Sequence, residues 1–153
     1  MFGKYNVRLS YNTFLWQILS GCVLVTANLR KRGIKCDSGC VRCGTIEETI
    51  NHTIFKCHPA RQIWALSKIP TVPGVFPTDS IYVNLDHLFS RIPSDFDSFA
   101  YPWIILYIWK ARDEKVFENV EKDPLDVLCL AEKEAQSWQL VQVEFNNENH
   151  IAL

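Results

Sequence analysis

Three cysteines and one histidine lie at spacings that suit a single metal ion. Cys40, Cys43, His52 and Cys57 follow the pattern C-x2-C-x8-H-x4-C. A structural Zn²⁺ ion takes four thiolate or imidazole ligands in a tetrahedron, and two cysteines separated by two residues can both reach it from one tight turn. The spacing therefore predicts a closed Cys3His zinc site, built on a knuckle between Cys40 and Cys43.

Two other interpretations of these residues stay open. A disulfide framework would need an oxidising compartment, whereas the first dozen residues lack the hydrophobic run of a signal peptide. We therefore expect a reducing intracellular setting, nucleus or cytoplasm, in which thiolates are available to zinc. Cys36 and His58 lie beside the pattern. Each is an alternative to one of the four ligands, but we expect that neither binds the ion.

The residues after the knuckle predict how His52 is positioned. Gly44 can adopt the positive φ that the end of a knuckle requires. Thr45 and Glu48 match a capping box, which predicts a helix that begins at Ile46. His52 would then face the knuckle from about the second turn of that helix.

Helices are predicted on both sides of the knuckle. Residues 12–20 have an apolar helical face, and Thr26 can cap a second short helix that ends at Gly33. After the zinc pattern, Pro59 is placed to open another helix through Trp64.

The second half of the chain predicts three more helices. Apolar residues at helical spacing occupy 81–92, and 99–119 is apolar nearly all round before it becomes charged. The Asp123-Pro124 pair can cap and open a final helix through Val143. The apolar stripe of that helix consists of Leu125, Leu128, Ala131, Ala135 and Trp138.

These elements predict a mainly α fold, with short helices around a Cys3His zinc knuckle followed by a helical C-terminal extension. Proline and glycine are concentrated between the two parts, which predicts a linker there. The predicted divisions are a zinc-binding module at 1–69, the linker at 70–80, the extension at 81–145 and a frayed tail at 146–153.

Two features of the 99–119 segment have plain structural explanations. The first is an aromatic cluster formed by Trp103, Tyr107 and Trp109. Such rings could stack on nucleic-acid bases, but an apolar helix of this kind favours core packing. The second is the mixed charge at 110–115, which predicts a solvated face with an i,i+4 pair between Lys110 and Glu114.

The charge of the chain is small but unevenly distributed. The formal net charge is −1, which gives no overall attraction to nucleic acid. A cluster of cations nevertheless surrounds the knuckle, while eight acidic residues stand against two lysines from 118 to the end. We call the cations the basic strip, which consists of Arg30, Lys31, Arg32, Lys35 and Arg42.

Several stretches together resemble a known family. They are FLWQILSG at 14–21, NLRKRGI at 28–34, the C-x2-C-x8-H-x4-C core and CHPARQIW at 57–64. They look like the reverse-transcriptase zinc-binding domain of plant non-LTR (LINE-like) retrotransposon polyproteins. The segment at 101–119 resembles the helical linker that follows that domain. The combination is far more specific than the metal spacing alone.

The resemblance implies an accessory module with Zn²⁺ bound by Cys40, Cys43, His52 and Cys57. In the family this domain typically follows a polymerase and often precedes a ribonuclease H-type domain. We therefore expect the basic strip to contact RNA or DNA through phosphates. The chain has no Asp-Asp pair to hold catalytic Mg²⁺, so we do not expect an enzyme. The alternatives are a module that docks on a polymerase or ribonuclease H domain, and a degraded retroelement fragment.

Overall fold

The computed structural model describes residues 15–18, 20, 25–35, 39–44, 47–69, 80–90 and 100–151. Helices make up most of these ranges, which contain no strand, and this confirms the mainly α prediction. Residues 15–18 and 20 are helical, as predicted. The later elements are α1 (Thr26–Lys31), a π-helical turn (His52–Lys56), α2 (His58–Leu66), α3 (Ile81–Ser90), α4 (Tyr101–Glu118) and α5 (Pro124–Ile151). None of the described helices is long and apolar enough to cross a membrane.

Helix α4 lies at the centre of the packing. Four consecutive residues, 103–106, are buried, which requires neighbours on every side of the helix. These neighbours include α5 and the π-helical turn. The ring of Trp103 is 6.5 Å from that of Trp138 on α5, and Tyr107 and Trp109 pack against the same core. The aromatic cluster is therefore core packing, as predicted.

Helix α5 covers α4 and α2 with the first half of its length. Val127, Ala131 and Ala135 are buried at i, i+4 and i+8, next to Leu128. Because the side chain of alanine is a single methyl group, the neighbouring helices can approach α5 closely at these two positions. Leu125 was predicted to share this stripe, but it is 51% exposed, because the buried row begins at Val127 instead.

The second half of α5 corrects the predicted end of the chain. The helix continues to Ile151, well beyond Val143, so the segment predicted as a frayed tail is helical as far as it is described. Residues 143–150 are all exposed. The segment contains no proline or glycine that would end a helix, which explains why the helical conformation persists without burial.

A short connector, residues 119–123, joins α4 to α5. Asn119 ends α4 with a φ of 54°, a left-handed conformation that asparagine tolerates. Asp123 Oδ1 accepts a hydrogen bond from the Leu125 N–H at 2.9 Å, which confirms the predicted cap of α5. Between these two points, Val120 and Glu121 are exposed.

The metal side and the later helices share one core. Ile54 and Ile63 belong to the same continuous cluster of buried residues as Ile104 and Ile108. Helix α3 adds a polar link, since Asn84 Nδ2 donates to Asn51 Oδ1 at 2.7 Å in a buried position. Residues on both sides of the predicted linker thus pack together, while most of the linker itself lies outside the described residues.

Candidate metal centre

The knuckle forms a closed turn at the predicted place. The Gly44 N–H donates to the carbonyl of Cys40 at 2.8 Å, and Gly44 has a φ of 74°. Glycine adopts this left-handed conformation without a steric penalty. The turn holds Cys40 in the buried interior and leaves Cys43 more exposed.

The π-helical turn explains the spacing between His52 and Cys57. The Cys57 N–H donates to the carbonyl of His52 at 2.6 Å, a bond from residue i+5 back to i. On an α-helix, residues five apart point about 140° away from each other. A π-helical turn closes its hydrogen bond over those same five residues, so it brings the two side chains to one side.

The predicted capping box is wrong, because the cap lies four residues later. Residues 47–49 are not helical, and helical conformation begins at Ile50. The hydroxyl of Thr49 accepts the His52 N–H at 3.0 Å, which is the bond an N-cap residue makes. The other residues of the predicted start, Thr45 and Ile46, lie outside the described residues.

Glu48 does not cap a helix as predicted. Its side chain instead forms a buried ion pair with Arg112 of α4. Arg112 Nη2 donates to Glu48 Oε1 at 2.5 Å, and Arg112 Nε donates to Oε2 at 3.1 Å. Glu48 Oε1 also accepts the first N–H of α1, from Thr26, at 3.3 Å. Burial alone would lower the pKa of Arg112, but Glu48 and then Asp113 more than offset it, so the pKa is raised.

This ion pair corrects the prediction of a solvated face at 110–115. Arg112 is only 4% exposed, because the carboxylate of Glu48 compensates its charge in the interior. The expected Lys110–Glu114 pair is replaced by other contacts. Lys110 lies 4.9 Å from the ring centroid of Tyr107, and Glu114 pairs with Lys122 at 3.1 Å.

The four predicted donors converge on one point. The Sγ atoms of the three cysteines and a ring nitrogen of His52 all lie within 4.8 Å of one another. Cys40 Sγ is 3.7 Å from Cys57 Sγ, and Cys43 Sγ is 3.2 Å from His52 Nε2. Two sulfurs bound to one tetrahedral Zn²⁺ are about 3.8 Å apart. The cluster is therefore able to hold a zinc ion.

The two buried thiols have opposite pKa shifts, because their sulfurs are close enough to form a hydrogen bond. The hydrogen bond from Cys57 lowers the pKa of Cys40 to about 4, against the opposing effect of burial and with help from the N–H groups of Arg42 and Cys43. The pKa of Cys57 is raised, because it keeps the shared proton and is itself buried. Zinc binds cysteine as thiolate, so metal binding would release the proton that Cys57 holds.

The two alternative ligands stand apart from this cluster in different ways. His58 is the first residue of α2 and is exposed, and it is not one of the four converging donors. Cys36 lies outside the described residues.

Sequence reasoning missed a supporting role for Trp64, whose Nε1–H donates to the carbonyl of Ile54 at 2.8 Å. That bond ties α2 back onto the π-helical turn.

The basic strip divides into two parts. Its exposed members are Arg30, Lys31, Arg32 and Lys35. Arg42 differs, because its side chain is only 2% exposed and Nη2 lies 3.0 Å from Glu121 Oε1 in the connector. Only four of the five cations are thus directly available to a partner.

Comparison with known proteins supports the metal site. Residues 1–64 match the family model described as zinc-binding in reverse transcriptase, and all four converging donors fall inside the match. No curated protein and no solved structure gives a significant match. The family match and the Cys3His cluster together show that residues 1–64 are similar to the zinc-binding domain of reverse transcriptases.

Proposed function

We propose that Cys40, Cys43, His52 and Cys57 bind one structural Zn²⁺, and that this zinc-stabilised module contacts RNA or DNA as an accessory to a polymerase. The observation that carries the metal assignment is the convergence of four donor atoms within 4.8 Å. A Cys3His set fills all four positions of a tetrahedral ion, which suits a structural role. The proposal assigns no catalysis to this chain.

Metal content tests the ligand set. The purified chain should contain one Zn²⁺ per molecule, because the four donors form one closed set. Cys43→Ser and His52→Ala should each release it, measured by elemental analysis after gel filtration. Cys36→Ser is the matched control and should retain the ion. Retention of zinc by both ligand variants would rule out this set.

The exposed part of the basic strip supports the nucleic-acid contact. Arg30 and Lys31 lie in the last turn of α1. Cations at this end of a helix also interact favourably with the helix dipole. That effect fades within one turn and does not account for Lys35, which follows the Gly33 turn and is exposed. Clustered exposed cations suit phosphates, whose binding is weakly sequence-specific and strongly salt-dependent.

Salt dependence measures this contact. With the four exposed cations engaged, log K for a single strand should fall with log salt at a slope of about −3. Replacing Arg30, Lys31 and Arg32 together with glutamine should flatten the slope by about two units while zinc stays bound. Fluorescence anisotropy with a labelled single-stranded RNA is the measurement. The zinc-loaded chain showing no binding in low salt would overturn the role.

A docking role is the second candidate, favoured by the second half of α5. Leu140 and Val143, three residues apart on one side of the helix, are both more than half exposed there. An exposed apolar helix face of this kind suits a protein partner, for which a polymerase or ribonuclease H domain is the candidate. Failure of nucleic-acid binding together with capture of such a domain would favour docking. Failure of both would favour a degraded retroelement fragment.

A further inference from the structure

The environment of Arg42 differs from that of the other cations near the knuckle. Its Nε and Nη2 both donate to Glu121 Oε1, at 3.3 and 3.0 Å. Its third nitrogen donor, Nη1, is buried and has no hydrogen-bond partner among the described residues. A buried guanidinium usually has all its donors satisfied, so this one has binding capacity that the present contact does not use.

A second cation faces the same carboxylate. Lys115 Nζ on α4 lies 4.0 Å from Glu121 Oε2 and donates to Asn119 Oδ1 at 3.0 Å. Glu121 therefore sits between an arginine from the knuckle and a lysine from α4. A guanidinium beside an ammonium is also the arrangement that binds a phosphate, which offers several acceptor oxygens in place of one carboxylate.

The carboxylate is held on the exposed side of this pair. The side chain of Glu121 is 45% exposed, whereas that of Arg42 is 2% exposed. Glu121 belongs to the connector, whose neighbouring residues Asn119 and Val120 are also exposed. The glutamate can therefore leave without opening the core, while Arg42 stays in place.

We propose that Arg42 and Lys115 form an anion site that Glu121 occupies in the free chain and that a nucleic-acid phosphate takes over in the complex. This inference rests on the proposed nucleic-acid contact and adds its regulation. Phosphate and Glu121 compete for the same donors, so Glu121 limits binding to ligands that already engage the exposed cations of the basic strip.

The test compares Glu121→Gln with Glu118→Gln in the full, zinc-loaded chain. Both variants remove one negative charge from the same region, but only the first removes the charge that Arg42 faces. Binding of single-stranded RNA should be about fivefold tighter in Glu121→Gln than in Glu118→Gln, because the phosphate no longer has to displace a carboxylate from Arg42 and Lys115. Adding Arg42→Gln, or separately Lys115→Gln, to Glu121→Gln should remove the gain.

The outcomes separate this inference from the proposed function. Equal affinities for RNA in Glu121→Gln and Glu118→Gln, with normal binding in both, would overturn the anion site alone. If no variant binds RNA, the proposed function fails and inorganic phosphate becomes the probe. Saturable shifts of the Arg42 Nε–H resonance in Glu121→Gln would then support an anion site without nucleic acid. Absence of those shifts would overturn the site as well.

Discussion

Among the described residues, two arginine–glutamate contacts join the metal side of the molecule to α4 and to the connector after it, and they differ in how deeply the acid is buried. Glu48 is 1% exposed and meets Arg112, which is 4% exposed. Glu121 is 45% exposed and meets the buried Arg42. In the first contact both charges are in the interior, whereas in the second the carboxylate keeps much of its water.

This difference separates a permanent joint from a replaceable contact. Removing either partner of the Glu48–Arg112 pair leaves an uncompensated charge in the core, which is strongly unfavourable. Glu121 itself loses little by returning to water, because an exposed carboxylate is well solvated, and the buried Arg42 that it leaves then needs another anion. The Glu48–Arg112 pair therefore holds the fold together. In the Glu121–Arg42 pair, by contrast, a ligand can replace the glutamate.

Metal removal should have the largest effect, because it acts on both contacts. Structural zinc contributes on the order of 10 kcal/mol in small zinc modules. Arg42 lies in the knuckle and Glu48 lies between the knuckle and His52, so both lose their positions when the ion leaves. Chelation should therefore speed amide hydrogen exchange in the π-helical turn and in α4 near Arg112. The exposed end of α5, residues 143–150, provides the internal control.

Two results would contradict this expectation. The amides of α4 would keep their full protection after chelation if the core on either side of the predicted linker were independent. A His52→Ala chain that exchanges like the zinc-loaded protein would show that the ion does not order these contacts.

Breaking the buried joint should have the next largest effect. Arg112→Met leaves Glu48 charged and unpaired, so it should lower the free energy of unfolding by about 3–5 kcal/mol. Arg61→Met, at an exposed arginine of α2, is the matched control and should cost less than about 0.5 kcal/mol. Urea unfolding at saturating zinc measures both.

A second substitution distinguishes charge from packing. Adding Glu48→Leu to Arg112→Met removes both charges, so most of the lost stability should return. A double variant as unstable as Arg112→Met alone would mean that the shape of the joint, and not its charge, supports the fold.

The sequence predicted what depends on neighbouring residues. Pro59 and Asp123 mark helix starts through their own backbone chemistry, and Gly44 marks the knuckle through its φ. The metal spacing likewise predicted the four side chains whose donor atoms converge, because a tetrahedral ion constrains which short separations can work.

The sequence could not predict contacts with distant partners. Glu48 matched a local capping pattern, but its partner Arg112 lies 64 positions away along the chain, beyond the reach of any local template. The same limit applies to Arg42 and Glu121. The π-helical turn is a different case. Two ligands five residues apart already fit a π-helical turn, but we interpreted the H-x4-C spacing with α-helical geometry.

Of the changes at the two contacts, Glu121→Gln should have the smallest effect on stability. The same Glu→Gln substitution at position 48 allows the two contacts to be compared directly. At position 121 the carboxamide oxygen can still accept a hydrogen bond from Arg42, and the lost charge was partly screened by water. The free energy of unfolding should therefore fall by less than about 1 kcal/mol. At position 48 the same Glu→Gln change leaves Arg112 buried without its counter-charge and should cost about 3 kcal/mol. Urea unfolding of both variants at saturating zinc, repeated at low and high salt, measures the two effects under identical conditions. Equal losses at the two positions would mean that Glu121 is as fixed as Glu48, and a phosphate could not then replace it.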